Sequence, residues 1–425
     1  MLDLRLVRER PAALRDAYAR RGALDTLAPA LDRAEQLERE RRGLIGRVEE
    51  LKAQRNAGAQ DVARRKRAGE PADDLIARGR ALGEEVAALD AERTRVEAAL
   101  DALLLELPNV TRADVPAGEA SHNVVVRSWG TPREAGSAQP HWDVGARLGL
   151  FDLARAAKVS GSGFAVYRGR GARLVRALLN YCVDTHVADH GYEEVWAPAL
   201  VTRATMTGTG QLPKFEDDAY AIRGEDDLFL IPTAEVPVTN LYRDEVLDAS
   251  ELPRGFVAYT PCFRREAGSA GKDTRGIQRL HQFDKVELVR YSTPEQSDVE
   301  LERLTGHAEA LLQALGLPYR VVLLAAGDTG QSSAKTYDLE VFAPGVGKWL
   351  EVSSCSVFDD YQARRANIRY RPAVGEKPRF VHTLNGSGLA FPRVIAAILE
   401  HHQQPDGSVT LPAPLRAAFG VDALA

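Results

Sequence analysis

The stretch TPCFRREAGSAGKDTRGIQRLHQFDKVEL, Thr260 to Leu288, opens and closes on strand-like text around a basic, glycine-rich loop. Its flanks, FVAYTPCFRRE and QFDKVELVRY, read as two strands. Two arginines, a glutamate and an aromatic in so short a span suit a phosphate-bearing ligand with a flat ring. GSAGKD is not a phosphate-binding P-loop, because Glu266 stands where its first Gly belongs and Asp273 follows Lys272. The segments GSGF and GRGARL lack the third Gly of a dinucleotide fingerprint. Phosphates would then be held by side chains, and arginine grips phosphate with two parallel hydrogen bonds. Arg264 in CFRRE and Arg393 in AFPRV are the candidates, although a lone arginine in either setting is ordinarily a surface or ion-pair residue.

Outward from this stretch, LFLIPTAEVPVTNLY, YRVVLLAAGD, KTYDLEVFAP and KWLEVSSCSVF also read as strands. They follow one another through loops more than through helices. That pattern predicts an α+β body with a largely antiparallel sheet flanked by helices. GARLVRALLNYCVDTHVADHG has helical spacing, and GLAFPRVIAAILEHHQQ starts a helix near Pro392. Pro198, inside the strand-like EEVWAPALV, marks an edge or an interface.

The first third of the chain is different. Leu37, Leu44 and Leu51 recur every seven residues, with Ala34 and Val48 between them. Leu75, Leu82, Leu89, Val96 and Leu103 keep the same period, joined by Val86, Leu100 and Leu107. The seam predicts an antiparallel coiled-coil hairpin over about 29–107, with arms of roughly 50 Å projecting from the body. RRKRAGEPADD breaks it at the turn, and Arg41 and Arg55 interrupt the seam. Lys52, Arg55, Arg64, Arg65, Lys66 and Arg67 cluster toward the tip. Such a run is usually a solvated helix face; the functional alternative is contact with a nucleic-acid backbone.

At 425 residues and a net charge of −5 the chain has room for two or three domains, and any nucleic-acid contact must be local. Cys182, Cys262 and Cys355 are scattered and odd in number, which argues against a disulfide framework. No CxxC or HExxH pattern occurs, so no sequence-local zinc site is expected. MLDLRLVRERP lacks an apolar core, and no run is long enough to span a membrane. A cytoplasmic protein is expected.

Thr260–Leu288 resembles motif 2 of the class II aminoacyl-tRNA synthetases, specifically of the bacterial-type seryl-tRNA synthetases. The likeness extends to IPTAEVPVTNLYRDEVL, GDTGQSSAKTYDLEVF and LEVSSCSVFDDYQARRANIRYR, and to HTLNGSGLAFPRVIAAILEHHQ as motif 3. Pro198 falls at the motif 1 proline, and the hairpin is similar to the family's tRNA-binding arm. The resemblance implies a tRNA-binding domain at 1–110, a catalytic domain at 111–425 and a homodimer. It implies activation of L-serine with ATP and transfer to the 3′ end of serine tRNA. It also implies residue roles. Arg264 would bridge the serine carboxylate and the α-phosphate, Arg393 would hold the γ-phosphate, and Phe283 would stack on adenine. Glu266 would read the adenine amino group, with Arg265 beside it; Lys272 and Arg275 would sit in a closing loop. Glu351, Val352, Ser353 and Ser354 match the ATP segment, with Glu351 and Ser354 as ligands of Mg2+. Thr233, Ala234, Glu235 and Asn385 match the positions around the serine ammonium. Glu287 would accept the serine hydroxyl, and Ser387 would close the pocket. Arg55, Arg64, Arg65, Lys66 and Arg67 would meet tRNA.

Arg265, Gln331 and Phe342 depart from the family pattern. They keep one alternative in view, a specialised copy serving a biosynthetic pathway or resisting an inhibitor; a ligase acting on a carrier other than tRNA is a separate alternative, although relatives of that kind lack the long arm. Selenocysteine tRNA is a second acceptor the resemblance leaves open.

Overall fold

The computed structural model describes residues 1–267 and 275–425, and they divide into two compact units. Lys272 lies outside the described residues.

The first unit comprises Met1–Ala19 and Ala23–Leu107. It is dominated by α1 (Leu24–Ala68) and α2 (Asp73–Glu106), joined by a turn in which Gly69 takes a left-handed φ of 75°. Both arms differ from expectation. α1 starts earlier, with Pro29 inside it, and the basic run Arg64–Arg67 continues the helix rather than breaking it. The last turn of a helix favours cations, because its carbonyls leave partial negative charge there. Forty-five residues make α1 about 68 Å long. Ala34, Leu37, Val48 and Leu51 are buried on one arm and Val86, Val96 and Leu100 on the other. Near the base Leu104 takes the buried place expected of Leu103, as a straight 3.6-residue helix drifts from a seven-residue repeat. Arg41 does not break the seam. It pairs with the buried Glu38 at 2.8 Å and reaches Glu97 of α2 at 3.6 Å.

The second unit comprises Arg20–Gly22 and Pro108–Ala425. Its sheet has eight strands: β1 (Val124–Trp129), β2 (Glu193–Glu194), β3 (Arg254–Phe263), β4 (Gln282–Ser292), β5 (Tyr319–Leu323), β6 (Lys335–Ala343), β7 (Lys348–Val357) and β8 (His382–Ala390). Their order across the sheet is β1-β5-β6-β7-β8-β4-β3-β2. Every pairing is antiparallel except that of β2 with β3. Helices α3 (Arg170–Ala188), α4 (Ser297–Ala314) and α5 (Phe391–His401) pack their apolar faces on this sheet, through Leu174, Leu178, Leu304, Leu311, Ile395 and Ile398. Val286 and Leu288 of β4 join that core, so the alternating pleat gives Lys285 and Glu287 to the opposite side.

Two local expectations are corrected. Pro198 is not in a strand: β2 ends at Glu194, and the next strand, Leu200–Thr202, belongs to a separate small sheet. TAEVPVT is not strand but a short helix, Glu235–Thr239. The Thr233 hydroxyl accepts the Glu235 N–H at 3.1 Å, and Pro237 would interrupt a strand's hydrogen-bond ladder.

Where α3 ends, three histidines meet. The Nδ1 atoms of His186 and His190 lie 2.9 Å apart, and the His190 ring stacks on His307 of α4 at 4.1 Å. Burial pushes His186 down to about 3 and His307 down to about 4, with neighbouring imidazoles adding to it. Both are neutral in the folded chain and gain protons on unfolding. Their contribution is therefore present above the ordinary histidine value, near pH 6.5, and is lost as pH falls toward 4. Urea unfolding at pH 7.5 and 5.0 should show wild-type stability falling, with about 2 kcal/mol of the loss from His186 alone. A His186→Gln variant should lose correspondingly less; an equal loss would refute this account.

Candidate active site

A cleft of about 640 Å³ opens on the side of the sheet away from α3 and α4. β4 presents Phe283, Lys285 and Glu287 to it, two residues apart. β7 contributes Glu351, Ser354 and Ser356, a spacing that a regular strand forbids. A register shift explains it: Ser353 faces Leu339 of β6 while Glu351 faces Glu340, so Val352 is the extra residue of a bulge. Below the bulge, Glu351 and Ser354 share a face. β8 contributes Asn385 and Ser387, then shifts register against β4 between Ser387 and Ala390. There Leu389 adopts a φ of 93°, a conformation L residues adopt only under constraint. The chain then turns into α5, whose first turn carries Arg393.

Two chemically distinct ends result. At one, Glu287 is almost wholly buried yet paired with Lys285, and its Oε1 accepts from Asn385 Nδ2 at 3.0 Å. Lys285 Nζ also donates to Thr233 Oγ1 at 3.0 Å. Glu235 lies beside them; burial and then the Glu287 charge push its carboxyl up to about 7, against the pull of Gln362, Lys285 and Arg264. At the other end, Arg393 Nη1 donates to the Glu351 carbonyl at 2.7 Å and to its carboxylate at 2.9 Å, and Nε donates to the Gln278 carbonyl at 3.1 Å. Burial alone would raise Glu351, but Arg393 and Arg264 hold it below the ordinary carboxylate value. Its neighbour Asp338 is raised well above that value by burial and by Glu351. The Arg264 guanidinium sits 5.2 Å over the Phe283 ring, between the two ends.

Arg264, Arg393, Glu351, Ser354, Phe283, Glu266, Thr233, Glu235, Glu287, Asn385 and Ser387 thus line one cleft. Four other expected residues do not. Ala234 and Val352 are buried away from it, and Ser353 donates its hydroxyl to the Ser387 carbonyl at 2.6 Å. Arg265 is exposed outside the lining, its N–H bonded to the Asp218 carbonyl at 3.0 Å. Glu266, at a left-handed φ of 53°, pairs with Arg279 at 3.1 Å. Arg275 lies over Trp142 at 4.5 Å. Of the departures from pattern, Gln331 lines the cleft, and Phe342 packs against Trp349 with centroids 5.3 Å apart. Lys285, Gln278 and Arg279 were not foreseen. The period-2 alternation of Phe283, Lys285 and Glu287 would have found the lysine; no local signal marks the other two.

Glu351 and Ser354 supply oxygen donors on one face beside two arginines, a set that suits a hard cation bridging phosphates. Among the described residues no group of three His, Cys, Asp or Glu side chains could hold a metal ion.

In the N-terminal unit, Arg64 pairs with Asp61 at 2.8 Å, Arg65 with Asp74 at 3.1 Å, and Arg67 Nε donates to the Ala63 carbonyl at 3.2 Å. Arg55 lines a groove between the arms with Ala59, Val62 and Ile76. Among the described residues no helix is long and apolar enough to cross a membrane.

Residues 214–402 match the family model of the class II tRNA synthetase core domain (G, H, P, S and T), and residues 1–111 match that of the seryl-tRNA synthetase N-terminal domain. A serine–tRNA ligase of Gemmatimonas aurantiaca is 65% identical over 426 residues, covering 100% of both chains. The structure of a seryl-tRNA synthetase from Pyrococcus horikoshii complexed with ATP superimposes with a TM-score of 0.95 at 39% identity, covering 100% of this chain and 99% of that one. The cytoplasmic serine–tRNA ligase of Naegleria fowleri in complex with AMP gives 0.90 at 28%, covering 100% and 98%.

Proposed function

The chain belongs to the seryl-tRNA synthetase family, and from that premise we propose that the cleft joins serine to ATP at its two chemically distinct ends. The protein is a serine–tRNA ligase with ATP as a substrate. In its first step a serine carboxylate oxygen bonds to the α-phosphorus while the bond to the β-phosphate oxygen breaks and pyrophosphate leaves. In the second, a hydroxyl of the terminal ribose of tRNA attacks the seryl carbonyl and AMP departs. Both steps depend on positioning and on charge placed where charge develops.

The observation that carries the assignment of residues is the pairing of the two ends. Glu235 and the Glu287–Asn385–Lys285 set receive an ammonium and a hydroxyl, and Arg264 and Arg393 receive phosphates. Arg264 meets the serine carboxylate and the α-phosphate, Arg393 the γ-phosphate, and Phe283 the adenine face. Glu351 and Ser354 would hold a magnesium ion, which neutralises phosphate charge when bound. Residues 1–110 form the tRNA-binding domain and 111–425 the catalytic domain, in a cytoplasmic homodimer.

ATP–pyrophosphate exchange with each of the twenty amino acids, followed by charging of total tRNA, tests this reading. Exchange with serine alone and charging of serine tRNA are expected; exchange without charging would move the acceptor off tRNA. A site built around a hydroxyl rejects an analogue lacking it, because its polar groups are then stranded. Glu287→Gln should therefore lower kcat/KM for serine by about 10²-fold while leaving alanine nearly unchanged. Equal losses for serine and alanine would remove Glu287 from hydroxyl recognition.

A further inference from the structure

Gln362 stands on the short helix Tyr361–Ala366, wholly buried and outside the cleft lining. Its amide is fully used. Nε2 donates to Glu235 Oε1 at 2.7 Å and to the Thr209 carbonyl at 3.1 Å, and Oε1 accepts the Thr383 hydroxyl at 2.7 Å. A carbonyl and a carboxylate both only accept, so the amide nitrogen must face them. Glu235, itself buried, spends one oxygen on this bond and is among the residues that line the cleft. Facing the same carboxylate are Lys285 and Glu287 from β4 and Arg264 from the end of β3.

We propose that Gln362 is a positioning residue for the amino group of bound serine: it clamps the Glu235 carboxylate through Oε1 and keeps it anionic, with Oε2 left for the ammonium. This rests on the reading of Glu235 as the ammonium's partner. The physical need is plain. An unclamped carboxylate between a low-dielectric wall and Glu287 relieves itself by taking up a proton, and a neutral acid no longer attracts an ammonium. The Gln362 bond opposes that protonation, and Thr383 fixes which way the amide points.

The test is serine-dependent ATP–pyrophosphate exchange by Gln362→Met between pH 6 and 8.5. At pH 7 the KM for serine should rise about tenfold, the loss of one hydrogen bond to a charged group. The acid limb of kcat/KM for serine should move up by about one pH unit, while the KM for ATP stays within about twofold. Thr383→Val, which removes only the orienting hydroxyl, should shift the limb in the same direction by less, and it serves as the readout if Gln362→Met does not fold. An unchanged serine KM, or a rise of equal size at every pH, would overturn the proposal. Glu235→Gln separates the layers. If it too leaves the serine KM unchanged, the reading of the pocket fails; if it raises that KM while Gln362→Met does not, only the role of Gln362 fails.

Discussion

Arg264→Ala is expected to lower kcat/KM for serine-dependent pyrophosphate exchange by about 10³-fold, roughly 4 kcal/mol of transition-state stabilisation. The size follows from where the side chain stands. Its guanidinium is exposed, lies over Phe283 at 5.2 Å, and among the described residues is tied to protein only by a long 3.4 Å bond to the Pro232 carbonyl. Little of the folded chain depends on it, so thermal stability should stay within a degree or two of wild type. The variant lacks a cation poised between the serine end and the phosphate end. Arg264→Lys should recover little of the rate, because an ammonium cannot span two oxygens with parallel bonds. Arg393 makes the contrast. It is locked to Glu351 by two hydrogen bonds, so its removal would also release the Glu351 carboxylate and perturb the cleft itself. A loss below tenfold in Arg264→Ala would mean that charge at the α-phosphate comes from elsewhere.

The sheet and its antiparallel order were legible because strands and loops alternate in the text with few helices between them. The hairpin was legible through its sevens, but its ends were not. The basic run before Gly69 reads as a break when taken as a loop, and as a helix end when the need for cations near the last carbonyls is considered. In the cleft, residues that a motif places side by side are separated by the pleat. Glu351 to Ser354 is one contiguous segment, yet the bulge at Val352 sends Glu351 and Ser354 into the cleft and turns Ser353 to the Ser387 carbonyl. No local pattern announces such a bulge, since it depends on the register of the partner strand β6. Gln362 was hidden for a related reason. It acts on Glu235 across 127 positions of chain, and only folding brings the two amino acids together.

Removing the distal arm should leave amino-acid activation intact while lowering tRNA charging by about 10³-fold or more. Lys52 Nζ and Asp90 Oδ2 lie 3.3 Å apart across the hairpin, so helices cut after Lys52 and before Asp90 can be rejoined by a short glycine-rich turn. The deletion keeps the seam below it, including Val48, Leu51, Val96 and Leu100, and removes Arg55, Arg64, Arg65, Lys66 and Arg67 together. Serine-dependent exchange should remain within about twofold of wild type, because the cleft and all the side chains assigned to chemistry belong to the other unit. A second variant asks what the arm supplies. Changing the five basic residues to alanine preserves length and shape but withdraws their cations from the tRNA backbone. Each phosphate left without its cation should flatten the dependence of log affinity on log salt by about 0.7–0.9. Arg64 and Arg65 already share their charge with Asp61 and Asp74, so their part of that change should be the smallest. If the neutral arm charges tRNA nearly as well as wild type while the shortened arm does not, the hairpin works by reach and shape. If the two fail alike, neutralising phosphate at the tip is what the arm exists to do. Full charging by the shortened enzyme would end the assignment of the distal arm, and of the five basic residues on it, to tRNA.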